Sequence, residues 1–293
     1  MRLAVLGSSG SWYVGDLRRA AGERHEVVPL PFSALTARLG TGNPPTFACD
    51  GHRLDTFDAV LVRSMPPGTL EQVVFRMDVL ARLGQCGVPV INPPRALEAA
   101  VDKYLASAKL LAAGLRTPAT IVCQSWEEAM AGYVHLGGDV VVKPLFGGEG
   151  RGIMRVEDPA LAQRVFKTLV QTGAVLYLQR FIPHPGYDIR LLVIGQQVLS
   201  IRRVHPTDWR TNVRLGARAE SFDADSDLKQ MALSAAAALN ASLVGVDILP
   251  GDDGDYYVLE VNAVPGWQAT AAALQVDVAA LVWDYLQRAA GCA

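Results

Sequence analysis

Val140-Val141-Val142-Lys143-Pro144-Leu145-Phe146-Gly147-Gly148-Glu149-Gly150-Arg151-Gly152 is the most informative stretch of the chain. Three β-branched valines read as a strand, and Pro144 stops it because proline has no amide to donate to a sheet. Glycines at 147, 148, 150 and 152 follow, and a backbone without Cβ atoms can approach phosphate oxygens and aim its amides at them. Lys143, at the strand end, supplies a compact positive charge. No Gly-Lys-Ser/Thr follows, which excludes a Walker loop. A surface hairpin with a solvated lysine remains an alternative reading of the loop alone.

Downstream, apolar or alternating strands read at Val175–Phe181, Ile189–Ile194, Val198–Arg203, Leu243–Leu249 and Tyr256–Asn262, with an alanine-rich helix over Ser226–Asn240. The turn Pro250–Asp255 makes the last two strands a hairpin, with Glu260 and Asn262 on one face and Asp247 diagonally close. Two carboxylates and an amide suit Mg²⁺, which prefers oxygen ligands. An ordinary exposed strand face is the competing reading. Asp188, Arg190, Arg202, Arg203, Asn212 and Arg214 form a third polar set, and the planar guanidinium suits carboxylate or phosphate recognition.

Upstream, strands read at Arg2–Gly7, Glu26–Pro29, Ala59–Arg63 and Val88–Asn92, with helices over Tyr13–Ala21 and Leu70–Gly84, an α/β unit with a parallel sheet. Gly7-Ser8-Ser9-Gly10 lacks the full dinucleotide fingerprint and reads as a tight strand-to-helix turn lining a substrate cleft. Asn92-Pro93-Pro94 marks a domain boundary. A single helix is expected over Ala96–Ala113, closed by Gly114, then a strand at Thr120–Cys123. The helical stretch Gln275–Ala290 packs internally or meets a second copy of the chain, and the sequence leaves both open.

The 293 residues are 50% hydrophobic with a formal net charge of -2, which describes a globular chain of two or three compact units. The near-neutral balance argues against nucleic acid as a partner. Cys49, Cys86, Cys123 and Cys292 are scattered, giving neither a zinc nor a disulfide pattern. No window resembles a membrane span, so a cytoplasmic protein is expected. His25, His52, His135, His184 and His205 lack metal-ligand spacing, and there is no Gly-x-Ser-x-Gly elbow.

Taken in order, Asp102-Lys103, the stretch Val141–Ile153, Leu178–Ile182, Asp188-Ile189-Arg190, Asp208–Asn212, Gly245-Val246-Asp247, Leu259–Asn262 and Pro265-Gly266-Trp267 resemble the ATP-grasp superfamily and, within it, the RimK-like glutamate ligases. The resemblance covers about 102–267. It implies an α/β and α+β chain, an ATP-grasp fold behind an N-terminal Rossmann-like domain, divided at 1–94, 95–181 and 182–293. Asn262–Trp267 and Ser11-Trp12-Tyr13 look most like the branch that ligates glutamate to tetrahydromethanopterin. Other members act on a ribosomal protein tail, a deazaflavin coenzyme or carrier proteins.

The resemblance further implies that Lys103, Lys143 and the loop residues Gly147, Gly148, Gly150, Arg151 and Gly152 hold ATP phosphates. Gln179, Arg180, Phe181 and Ile182 would line adenine, with backbone groups reading its edge, and Asp188 belongs to the same nucleotide set. Asp247, Glu260 and Asn262 match metal ligands for Mg²⁺ or Mn²⁺. Arg190 would stabilise the transferring phosphoryl group, with Asn212, Arg203 and Arg214 near the acceptor or the amino-acid carboxylate. Gln179-Arg180-Phe181 departs from the commoner Gln-Glu-Phe. The implied partners are L-glutamate and a small-molecule carboxylate acceptor. A protein or peptide C-terminus as acceptor, or an ATP-binding protein without turnover, are the alternatives. A protein kinase is disfavoured because its His-Arg-Asp and Asp-Phe-Gly signatures are missing.

Overall fold

The computed structural model describes residues 1–41, 43–148 and 150–292. Glu149 of the glycine loop therefore lies outside the described residues. The elements in order are β1 (Arg2–Leu6), α1 (Trp12–Ala21), β2 (Glu26–Leu30), β3 (Leu35–Gly40), β4 (Asn43–Cys49), β5 (His52–Arg53), β6 (Ala59–Val62), α2 (Leu70–Gln85), β7 (Val90–Ile91), α3 (Pro94–Val101), α4 (Lys103–Ala112) and β8 (Thr120–Cys123). They continue with α5 (Trp126–His135), β9 (Val140–Lys143), β10 (Met154–Val156), α6 (Pro159–Gln171), β11 (Leu176–Arg180), β12 (Tyr187–Ile194), β13 (Gln197–Val204), β14 (Arg218–Ser221), α7 (Ser226–Ala238), β15 (Leu243–Pro250), β16 (Tyr256–Asn262), α8 (Gln268–Leu274) and α9 (Val278–Ala289).

The front sheet is parallel, in the order β2-β1-β6-β7. β1 is one of its two inner strands, and Leu3, Ala4, Val5 and Leu6 are all fully buried because helices cover both faces. A small antiparallel sheet β3-β4-β5 adds Phe47 and Cys49 to the core. The central lobe is the antiparallel sheet β10-β9-β11-β8 under α5 and α6. Its core, including Tyr133, Phe166 and Leu178, is separate from the rest. The C-terminal sheet runs β14-β13-β12-β15-β16, all antiparallel.

Strand periodicity decides which core each residue enters. Ala4 and Leu6 of β1 join Ile189, Leu191 and Val246 in one cluster, while Leu3 and Val5 join Leu192, Ile194 and Trp283 in another. The front and C-terminal sheets thus share both cores. Asn92, 1% exposed, links them further. Its Nδ2 donates to the carbonyls of Leu243 and Ala263, both at 2.8 Å, and its Oδ1 accepts from the amides of Ser242 and Leu243 at 2.9 and 3.0 Å.

Several expectations change. The helix expected over Ala96–Ala113 is two helices broken at Asp102, whose extended backbone ends α3 and whose carboxylate caps α4 by accepting from Leu105 N at 3.0 Å. The strand expected over Val88–Asn92 shrinks to Val90–Ile91, confined between Pro89 and Pro93. Asp247 stands directly opposite Glu260, not diagonally, with a register shift immediately after it. Helix α9 packs internally against α1, burying Val278, Val282, Trp283 and Leu286. Among the described residues no helix is long and apolar enough to cross a membrane, and all four cysteines are free.

Candidate active site

A cleft opens where the central sheet meets the C-terminal sheet. Lys143 (β9), Gln179 and Arg180 (β11), Phe181, Ile182, Asp188 (β12), Arg203 (β13), Asn212, Asp247 (β15) and Glu260 (β16) all line it. Ten of the residues singled out from the sequence, distant in the chain, therefore meet at one place. Arg190 sits beside it, paired to Asp247. Arg214, itself exposed, lies on the turn Val213–Leu215 and is not among the described residues lining the cleft.

The glycine stretch joins β9 to its antiparallel neighbour β10. Gly147, Gly150 and Gly152 adopt φ of 113°, 75° and 70°, which side chains with a Cβ rarely tolerate. A Cβ at Gly152 would also come within 2.9 Å of Pro144. Lys103, the first residue of α4, is tied to this loop: its amide donates to Leu145 O at 3.3 Å and its ammonium to Gly147 O at 2.6 Å. Lys143 donates to Gln179 Oε1 at 2.6 Å.

Both ammonium groups lie within electrostatic reach of Glu260, with Asp247 also near Lys143 and Asp102 near Lys103. Burial pushes Lys143 down to about 8, against the pull of Glu260 and with the further push of Lys103. Burial also lowers Lys103, with Glu260 and Asp102 acting the other way. Burial disfavours the charge on both lysines, and a polyanion placed against them would restore it.

The cleft floor is a buried ion network. Asp247 accepts from Arg190 Nε and Nη2 at 2.7 and 2.8 Å, and Arg203 Nη2 lies 2.9 Å from its Oδ2. Arg203 also holds Asp188 through both nitrogens of its fork. Burial works against the charge on Arg203, yet Asp247 and Asp188 raise its pKa overall. For Asp188 burial prevails and the carboxyl is pushed up, whereas for Asp247 Arg190 and Arg203 outweigh burial and hold it down. Asp188 and Arg203 are expected from the sequence as ligand contacts. In the folded chain they also neutralise each other beneath the cleft.

The oxygen donors fit a hard cation. Asp247 pairs with Glu260 and Gly245 with Asn262 across β15 and β16, so the three donors share a face. No cluster of three or more His, Cys, Asp or Glu occurs among the described residues, so the set depends on the Asn262 amide, whose Oδ1 also accepts from Val264 N at 2.9 Å. Asp247 has about four lone-pair sites and uses three on arginines, which leaves one on Oδ1.

The cleft also has apolar and aromatic lining. Val141, Ile153, Ile182, Leu249 and Leu259 line it. The Arg155 guanidinium lies 3.6 Å from the Phe181 ring centroid, and Trp209 meets that ring edge-on at 5.8 Å. The amides of Arg180 and Phe181 donate within the sheet to Ala119 and Asp139 at 2.8 and 3.0 Å, so these two are not the donors that read a ligand edge. His184, Trp209, Arg210 and Thr211 also line the cleft without having been singled out as site residues. Trp209–Thr211 fall within a stretch, Asp208–Asn212, that already carried the resemblance. His184 had no sequence signal.

A cleft between two antiparallel sheets, with Lys143 at the start of a glycine loop on one and the oxygen donors Asp247 and Glu260 on the other, defines the ATP-grasp fold class. The solved ATP-grasp ligase PsnB, complexed with a phosphomimetic variant of its minimal precursor, Mg and ADP, superposes with a TM-score of 0.78 at 25% identity, covering 98% of each chain. The RimK-like ATP-grasp domain profile matches residues 100–286, and the chain belongs to that family. It is 32% identical over 289 residues to the tetrahydromethanopterin:alpha-L-glutamate ligase of Methanocaldococcus jannaschii, covering 95% of this chain and 96% of that one. Identity to the enzyme of the same name from Methanosarcina acetivorans is 31%, over 89% and 90% of the two chains.

Proposed function

We propose that the protein is an ATP-dependent ligase that activates a carboxylate as an acyl phosphate and couples it to L-glutamate, on a small-molecule acceptor such as a reduced pterin. The observation that carries this reading is the convergence of Lys143, Glu260 and Asp247 on one cleft with apolar and aromatic lining, with Lys103 near enough to Lys143 to push its pKa down, in a chain about 30% identical to named glutamate ligases over nearly its full length. The division into units at 1–94, 95–181 and 182–293 is part of the same reading. It draws on the separate core of the central lobe. Four free thiols suit a reducing, cytoplasmic setting.

In this mechanism adenine occupies the slot near Phe181 and Ile182, and the triphosphate lies along Lys143, Lys103 and the glycine loop. An oxygen of the acceptor carboxylate attacks the γ-phosphorus and ADP leaves. The glutamate amine then attacks the acyl carbon and phosphate leaves, carrying the acceptor's oxygen. Asp247, Glu260 and Asn262 would hold Mg²⁺ or Mn²⁺, which supplies charge neutralisation and Lewis acidity to the phosphates. Arg190, oriented by Asp247, meets the charge that develops on the transferred group. Asp188 and Arg203 act as positioning residues that fix Asp247, while Asn212 and Arg214 stand on the acceptor side. No side-chain nucleophile takes part.

Hydroxylamine replacing the amino acid tests the intermediate. With Mg-ATP and a panel of acceptors including a reduced pterin, a deazaflavin and a glutamate-ending peptide, a hydroxamate should form in step with ADP. Glu260→Gln should abolish both. ADP release by that variant at the native rate would remove the metal site from this account.

A further inference from the structure

Arg63 follows β6 at the junction of the front and C-terminal sheets, outside the cleft described above. The residue is 9% exposed. The guanidinium carbon lies 4.5 Å from the Tyr13 ring centroid and 4.4 Å from that of Trp267, and Nη1 donates to Pro265 O at 2.8 Å. Nε is buried and has no acceptor. No carboxylate among the described residues is paired with it, and burial pushes its pKa down to about 10, which leaves it charged at neutral pH. The two ring faces and the Pro265 carbonyl offset part of the cost of burying this cation, and the orphaned Nε donor and missing counter-ion leave it suited to an anion from outside the chain.

The surroundings favour an anion. A Cβ at Gly7 would lie 3.4 Å from the Arg63 Cβ, so the β1–α1 turn passes directly beside it. The ten-residue helix α1 begins there, with no side-chain cap from Ser11 and no acidic residue in its first turn. Its first amides have no intrahelical acceptor, and the helix dipole is positive at this end. Tyr13, whose ring packs on the guanidinium, belongs to that same turn.

The location also connects with the chemistry. A Cβ on Gly245 would stand 3.4 Å from the Pro265 Cβ and 3.5 Å from Arg190 Nε. Pro265, whose carbonyl Arg63 holds, is thus separated from Arg190 only by Gly245.

We propose that Arg63, the Gly7–Ser11 turn and the N-terminus of α1 bind a substrate carboxylate other than the one being activated. It is carried by the incoming amino acid or by the acceptor. The assignment rests on the ligase reading above. The guanidinium and the helix amides hold this second carboxylate while the reacting groups meet at Arg190, so the site selects substrates with a free acid at that position.

Calorimetric titration of the Mg-ADP-saturated protein with L-glutamate, L-glutamate α-amide and glutarate tests this. Arg63→Met should weaken binding of L-glutamate or glutarate at least about tenfold, the size expected for one charge-assisted contact. Mg-ADP affinity should stay unchanged, and the α-amide should bind both proteins equally. Loss confined to L-glutamate assigns the site to the amino acid, and loss confined to glutarate assigns it to the acceptor. Arg63→Lys should recover part of the loss. Ser11→Asp provides the second route, since an acidic N-cap favours the helix while repelling a ligand carboxylate. It should weaken the same ligand without lowering the melting temperature. Native carboxylate binding in Ser11→Asp, or in a folded Arg63→Met, overturns the proposal, as does loss of Mg-ADP and carboxylate together with a lowered melting temperature. Carboxylate binding that depends on Arg63 in a protein that never releases ADP would instead sink the ligase reading alone.

Discussion

Lys143 shows how a single residue carries the cost and the use of a prepared site. Its pKa of about 8 lies below the ordinary 10.5 because burial penalises the ammonium more than Glu260 supports it. Between those two values the unfolded chain holds the proton and the folded chain does not, so this group makes stability rise with pH through that window. Nucleotide phosphates reverse the balance by favouring the charged form. At pH 8.5, ADP binding should therefore take up a substantial fraction of a proton, read by calorimetry in two buffers of different ionisation enthalpy. Lys143→Met should abolish the uptake and weaken ADP binding by about tenfold or more. Equal uptake in both proteins would assign the proton to another group.

At the scale of elements, the break between α3 and α4 is the decisive detail. Asp102 ends one helix and caps the next, and so sets Lys103 at the first turn of α4 against the glycine loop. Asp102→Ala should lower stability by about 1 kcal/mol in denaturant unfolding. It should also weaken ADP binding through the displaced Lys103, whereas native affinity would mean the cap does not position the lysine. The two helices together were visible in the sequence as one apolar, helix-favouring run. The cap was not, because Asp inside such a run reads equally well as a solvated surface residue. β3 and β4 escaped for a related reason: exposed positions, Gly40, Pro44 and Pro45 obscure the alternation that Phe47 and Cys49 alone preserve. The cleft residues were legible as motifs at Lys143, Asp247 and Glu260. Their partners were not, since the Asp188–Arg203–Asp247–Arg190 network is made by strands that pair only in the folded sheet.

Across the whole molecule, the front sheet and the C-terminal sheet behave as one packed body, and the central lobe has a core of its own. Asn92, like Arg63, is a polar link between the first two, with three buried and one part-buried hydrogen bond to backbone groups of Ser242, Leu243 and Ala263. Asn92→Ala would strand several buried donors and acceptors at about 1–3 kcal/mol each. A loss of about 3 kcal/mol or more is expected in urea unfolding, and a loss below 0.5 kcal/mol would show that the two sheets are held by apolar packing alone.

The central claim concerns the reaction carried out between the lobes. Coupled ADP release with Mg-ATP, L-glutamate and the acceptor panel, with products read by mass spectrometry, tests it most directly. The account predicts one ADP released for each glutamyl unit added to a single acceptor. Nucleotide binding with no acceptor-dependent ADP and no glutamyl mass gain on any acceptor would contradict it.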